Sequence, residues 1–204
     1  MSRLEKKTRV AFQGERGAFS EEAALKLLGE QIELVPRRTF ADLYDSLDSG
    51  IADYVLAPVE NSIAGVVRAS VELLNSKSLN VLDEIQIRIE QHLIGCTGAR
   101  FETIETVQSH PTALAQCSRF FATNPQLKSV VADDTAGSVA EVIRRGDPTR
   151  AAIAGQRAAD LYGATILRKS IQDHSENYTR FVLLSAPAEQ RHINPTLQVK
   201  EHAS

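Results

Sequence analysis

The sequence predicts an α/β fold in which two α/β lobes enclose a central cleft. Three observations carry this expectation. Short β-rich runs alternate with longer segments of helical period, the pattern of βα units around mostly parallel sheets. Four times an apolar strand runs into a cluster of small polar residues that then becomes a helix. A polar stretch at residues 97–100 marks a passage from one lobe to the other, and the final strand returns to the first.

In chain order, strands are predicted at residues 8–12, 32–35, 54–58, 79–89, 92–97, 105–108, 127–132, 151–154, 165–167 and 179–185. Helices fill residues 20–28, 39–47, 66–74, 111–121, 135–144 and 155–161. Thr39-Phe40-Ala41-Asp42 reads as a capping box at the second helix. Pro111 suits the first turn of the fourth, where its missing N–H costs nothing. One lobe then takes residues 8–96 plus 175–186, and the other 97–174. Residues 1–7 form an N-terminal extension, and the polar, aperiodic tail at 187–204 is expected to be loosely ordered.

With 204 residues and 43% apolar side chains, the chain can bury one sizeable core, or two small ones sharing a cleft, without metals or disulfides. The net charge of -3 comes from interspersed acids and bases, which argues against a nucleic-acid or membrane footprint. An anionic ligand must then be held by local donors. Both cysteines, Cys96 and Cys117, lie in apolar segments and read as buried thiols in a reducing cytoplasm. Charged residues at the start, with no apolar stretch of signal length after them, give no expectation of secretion.

The four junctions are where chemistry is expected. They are Gln13-Gly14-Glu15-Arg16-Gly17-Ala18-Phe19-Ser20, Glu60-Asn61-Ser62-Ile63-Ala64-Gly65, Ser109-His110-Pro111-Thr112 and Asp133-Asp134-Thr135-Ala136. In open α/β sheets, ligands gather beyond the carboxyl ends of strands, where free backbone N–H groups and helix dipoles favour an anion such as a small carboxylate. Taken singly, each cluster is an ordinary set of helix caps. Gly14-x-x-Gly17 lacks the spacing of a dinucleotide fingerprint or P-loop and reads as a tight turn beside the cleft. No two histidines at metal-ligand spacing, Cys-x-x-Cys or Gly-x-Ser-x-Gly occur, so neither a metal site nor a serine hydrolase is expected.

Residues 171–181 put dense polar chemistry directly before an apolar strand. Asn177-Tyr178-Thr179-Arg180-Phe181 fits the Asn-x-Thr-Arg-Phe pattern of prephenate dehydratases, and Glu60-Asn61-Ser62 fits their Glu-Asn-Ser motif. The likeness continues in the family's order through Phe19-Ser20-Glu21, Ser109-His110-Pro111, Ala115-Gln116-Cys117, Asp134-Thr135-Ala136, Ala151-Ala152-Ile153-Ala154 and Tyr162-Gly163. Over residues 8–186 the chain therefore resembles the catalytic domain of that family.

The resemblance implies a fold like that of type II periplasmic binding proteins, a cytoplasmic homodimer, and a cofactor-free reaction. That reaction expels the ring hydroxyl and ring carboxylate of prephenate as water and carbon dioxide, on the route to phenylalanine. It also implies that Thr179 donates to the departing hydroxyl. Asn61, Ser62, Ser109, Thr135 and Asn177 would supply neutral donors, with backbone N–H groups of Gly65 and Ala136 assisting. Neutral donors orient a carboxylate while leaving it free to decarboxylate.

Arg180 reads either as a fork for the substrate's side-chain carboxylate or as the partner of an acid such as Glu60. Strand alternation points Thr179 and Phe181 to one face and Arg180 to the other. Phe181 shapes the cleft or fills the core. His110 reads as a cap or packing residue, and so, outside the motifs, do His92 and His174.

Two departures from the family pattern stand out. No Glu-Ser-Arg-Pro motif of a phenylalanine-binding regulatory domain occurs, so phenylalanine control is not implied. The first junction is similar to that of arogenate dehydratases, which makes arogenate the alternative substrate. A small-carboxylate-binding module of the same shape is the non-catalytic alternative.

Overall fold

The computed structural model describes residues 7–187. The extension at 1–6 and the tail from 188 onward lie outside the described residues. Two sheets organise the chain. The first orders β2 (Ile32–Arg37), β1 (Thr8–Gln13), β3 (Tyr54–Asn61), β11 (Tyr178–Ser185) and β5 (Asn80–Arg88), with the two-residue β4 (Gly65–Val66) folded back on β3. The second orders β10 (Thr165–Arg168), β6 (His92–Gly95), β9 (Arg150–Ala154), β7 (Thr106–Ser109) and β8 (Lys128–Val131). Helices α1 (Phe19–Leu28), α2 (Phe40–Asp48) and α3 (Arg68–Ser76) belong to the first lobe. Helices α4 (Pro111–Ala115), α5 (Ser118–Thr123), α6 (Thr135–Arg145) and α7 (Gln156–Tyr162) belong to the second.

Strand β1 runs parallel to both β2 and β3, and its consecutive residues serve opposite faces. Val10 packs with Ala23, Ala24 and Leu56 under α1, while Ala11 packs with Leu43, Tyr44 and Val55 under α2. A strand covered on both sides reads as a continuous apolar run, which is why Val10-Ala11-Phe12 is legible. Phe12 and Ala18 join the core cluster of the second sheet, so the lobes share packed surface.

Three features differ from the sequence reading. First, β6 pairs with β9 and β10 in the second sheet, so the chain crosses between lobes at residues 89–91 and not near 97. The polar stretch after β6 is a surface turn instead, with Ala99 N donating to Cys96 O. Second, the helix expected over 111–121 divides at Gln116 and Cys117 into α4 and α5. Asp173 starts the second helix from afar: its carboxylate accepts from Ser118 N (3.0 Å), Ser118 Oγ (2.6 Å) and Arg119 N (2.9 Å). Third, the start of the helix expected at 66 is taken by β4, so α3 begins at Arg68.

The first junction docks on the second lobe. Gly17 has φ +88°, and a Cβ there would sit 2.9 Å from Ala158 Cα in α7. Gly17→Ala meets both an unfavourable backbone region and a backbone clash, so a loss of about 2–3 kcal/mol is expected, read from urea unfolding. Among the described residues, no helix is long and apolar enough to cross a membrane.

Candidate functional site

A cavity of about 350 Å³ opens between the lobes, within the size range of small-molecule sites. All four junctions reach its wall. The first contributes Phe19, the second Asn61 and Gly65, the third His110 and Thr112, and the fourth Thr135. The last strand adds Thr179 and Phe181, and the crossover adds Ile89 and Gln91. Among the described residues, no lysine, arginine, aspartate or glutamate lines the cavity. Among the described residues, no cluster of three or more His, Cys, Asp or Glu could hold a metal.

Strand pairing builds the centre of the site. β11 lies antiparallel to β3 with Thr179 opposite Asn61. Asn61 Nδ2 donates to Thr179 Oγ1 (2.9 Å), Asn177 Oδ1 (2.7 Å) and Tyr178 O (3.0 Å), while its Oδ1 accepts from the N–H groups of Ile63 and Ala64. Those contacts fix the turn into β4 and the direction of the Asn61 amide together. Thr179 Oγ1 is thereby an acceptor, which leaves its own hydrogen to be given to a ligand.

Asn177 is fully buried and ties both lobes: it accepts from Asn61, and its Nδ2 donates to Gln116 Oε1 (3.1 Å) at the end of α4. Gln116 also lines the cavity. The two crossovers lie side by side, joined by Ile89 N donating to Asn177 O (2.7 Å) and Ile171 N donating to Gln91 O (2.8 Å). His92 sits in this hinge. Burial, its largest influence, pushes its pKa down, and Nδ1 accepts from Ser170 N (2.9 Å), as a neutral imidazole does.

Of the residues expected to meet substrate, Thr179, Asn61, Gly65, Thr135 and Phe181 line the cavity, and five do not. Asn177 sits behind Asn61 and positions it. Ser62 ties the turn to β11, accepting from Tyr178 N (2.9 Å) and donating to Glu176 O (3.2 Å). Ser109 is fully buried and donates to Ile153 O (2.7 Å), a bond between β7 and β9. Ala136, at the start of α6, is fully buried in the second lobe's core.

Arg180 points away from the cavity and pairs with Glu84 (3.1 Å) and Glu60 (3.4 Å), so of its two readings the geometry gives the acid partner. Exposed pairs of this kind contribute little. Arg180→Gln should leave kcat/KM within about threefold and stability within about 1 kcal/mol, measured by steady-state kinetics and thermal melting.

The sequence reading gave no site role to Gln91 or Gln116, and read His110 as a cap or packing residue. His110 does cap α4, its Nδ1 accepting from Thr112 N (3.2 Å), and it faces the cavity as well. Nothing local marks Gln91, and Gln116 is marked only as part of the Ala115-Gln116-Cys117 likeness, because only the meeting of two lobes brings them to one wall.

The lobes are also fastened beside the cavity by a buried carboxylate. Glu21 of α1 is fully buried; Oε2 accepts from Arg16 Nε (2.6 Å) and Gly17 N (3.1 Å), and Oε1 from Arg157 Nη2 (2.9 Å) of α7. Burial pushes its pKa up, but those hydrogen bonds outweigh it and the net shift is downward. Glu15 N adds a second tie, donating to Asp134 Oδ2 (2.9 Å).

Compared with known families, residues 10–189 match prephenate dehydratase. The chain belongs to the prephenate dehydratase family. It is 35% identical over 88% of its length, and 46% of the relative's, to arogenate dehydratase/prephenate dehydratase 2 of Arabidopsis thaliana. Among solved structures it resembles the prephenate dehydratase of Arthrobacter aurescens in complex with L-Phe, at 27% identity and TM-score 0.81, covering 88% of this chain and 61% of that one. It also resembles GqqA, described as a novel type of quorum quenching acylase, at 33% identity and TM-score 0.78, covering 88% and 64%. The chain spans about half the length of the curated relatives it matches. Within this prephenate dehydratase fold, the two-lobed α/β arrangement and the inter-lobe cleft are as the sequence predicts.

Proposed function

We propose that the chain converts prephenate to phenylpyruvate, releasing one water and one carbon dioxide, with Thr179 as the group that assists the departing hydroxyl. The observation that carries this reading is the Thr179 hydroxyl, engaged as an acceptor by Asn61 and so left with a hydrogen facing a cavity without charged walls. A threonine hydroxyl is too weak an acid to ionise here. Its contribution is a positioned hydrogen bond that strengthens as the C–O bond breaks and negative charge grows on the leaving oxygen, which takes up one proton from solvent to depart as water. Electrons from the breaking C–C bond of the ring carboxylate flow into the ring, and aromatisation drives the step. A wall without arginine or lysine holds that carboxylate loosely, which favours its loss as carbon dioxide.

The acylase described for one structural relative calls for a nucleophile beside a base. Here His110 and His92 each accept from a backbone N–H, and burial pushes the Cys117 thiol up to about 12. Those contacts favour the dehydratase reading. The buried free thiols Cys96 and Cys117 support a reducing compartment such as the cytoplasm, and a homodimer is the assembly the family likeness supports. Incubating the purified chain with prephenate at neutral pH and following phenylpyruvate tests the proposal, with arogenate run in parallel. Conversion of neither substrate would refute it.

A further inference from the structure

Gln116 lines the cavity where α4 gives way to α5, and the second crossover holds it at both ends. Its main-chain O accepts from Asp173 N (2.6 Å), and its side-chain Oε1 accepts from Asn177 Nδ2 (3.1 Å). The direction of that second bond is set by backbone groups, which cannot be turned round. Ile63 N and Ala64 N donate to Asn61 Oδ1, so Asn61 Nδ2 donates to Asn177 Oδ1 (2.7 Å), and Asn177 is left to donate to Gln116 Oε1. With that oxygen engaged, what Gln116 offers the cavity is its pair of Nε2 donors.

What keeps Gln116 in this place is the start of α5. Cys117 is the N-cap of that helix and makes no side-chain capping bond, since a thiol is a weak acceptor. Asp173 supplies the cap instead, accepting from Ser118 N, Ser118 Oγ and Arg119 N, and is not itself part of the cavity wall. We infer that Asp173 is a positioning residue for the reaction: by pinning the first turn of α5 it fixes the α4–α5 junction, and so aims the Gln116 amide at the substrate. This rests on the dehydratase reading of the same cavity. One helix ends at Gln116 and the next begins beside it, and a junction without a cap of its own moves when its distant cap is removed. Misplacing a group at the site by about 1 Å is enough to slow a reaction by about 10²-fold.

The test is a double-mutant cycle on the purified chain with prephenate as substrate, comparing wild type, Asp173→Ala, Gln116→Leu and the double variant. Asp173→Ala should lower kcat/KM by about tenfold or more with Gln116 present, and by a factor at least about threefold smaller once Gln116 is replaced, because the carboxylate acts through that amide. A merely structural cap lowers activity by the same factor in both backgrounds. Losses that agree within about threefold would therefore overturn the inference while leaving the dehydratase reading intact. Asp173→Asn, which keeps one acceptor at the helix start, replaces the alanine variant if that one fails to fold, and the same coupling is expected of it. The side-chain N–H signals of Gln116 in the amide NMR spectrum, identified by their loss in Gln116→Leu, give a readout that needs no turnover, and they should move when Asp173 is changed. Failure of wild type to convert prephenate or arogenate would overturn the dehydratase reading, and unmoved Gln116 signals would then overturn the role of Asp173 as well.

Discussion

Thr179→Ala is expected to lower kcat by about 10²–10³-fold, the range for losing one positioned hydrogen-bond donor to a developing negative charge, while KM stays within a few-fold. The split follows from the geometry. Thr179 Oγ1 takes one hydrogen bond from Asn61 and has its hydrogen for the leaving oxygen, so deletion removes an interaction that grows only as the bond breaks. Shape and polarity around the rest of the ligand, from Phe181, Thr135 and Gly65, are untouched. Thr179→Ser, which keeps the hydroxyl, should recover most of the rate. A Thr179→Ala enzyme retaining a tenth or more of wild-type kcat would remove Thr179 from the mechanism.

The largest stability effect is expected at Glu21. Glu21→Gln removes a fully buried charge that serves two arginines, and a loss of about 3 kcal/mol is expected. That is the low end for breaking a buried pair, because the side chains of Arg16 and Arg157 are 44% and 31% exposed and water screens them. For a chain of this size the melting temperature should fall by about 6–12 °C.

The pH dependence has a definite sign. Folding lowers the pKa of Glu21 below its ordinary 4.5, so its contribution is complete above that pH and disappears as pH falls through the lowered folded value. Urea unfolding of wild type and Glu21→Gln should therefore differ at pH 7 and converge below pH 4.5. A gap that stays constant on acidification would show that the charge is not what stabilises the junction.

Much of this architecture is readable in the sequence because local signals and global packing agree. Val10-Ala11-Phe12 and residues 151–154 are apolar on both faces because both faces are covered, and the caps Thr39 and Asp134 sit where the chain must turn into α2 and α6. What escaped detection depends on partners far along the chain. The break between α4 and α5 is set by Asp173, 55 residues beyond Ser118. The crossover at 89–91 carries no glycine or proline, because its backbone is paired to the second crossover and needs no slack.

Within the site, Thr179 and Asn61 were visible through their motifs. Gln116 lay within the Ala115-Gln116-Cys117 likeness but was given no role, and Gln91 lay outside every motif, since such a glutamine gains its place in the wall only when two lobes close over it. Strand alternation had already turned Arg180 away from Thr179, and the pairing with Glu60 and Glu84 follows from it.

The position of β11 has a consequence for biosynthesis. All five strands of the second sheet come from one continuous stretch, His92 to Arg168, so that sheet has all its strands once the stretch has left the ribosome. The first sheet does not. Its inner strand, between β3 and β5, is the last strand among the described residues, and until Tyr178–Ser185 emerges those two neighbours have unpaired edges. Thr179 arrives on that same strand. The segment that completes the first lobe is thus the one that delivers the proposed hydrogen-bond donor, so completion of that sheet and assembly of the candidate site are one event.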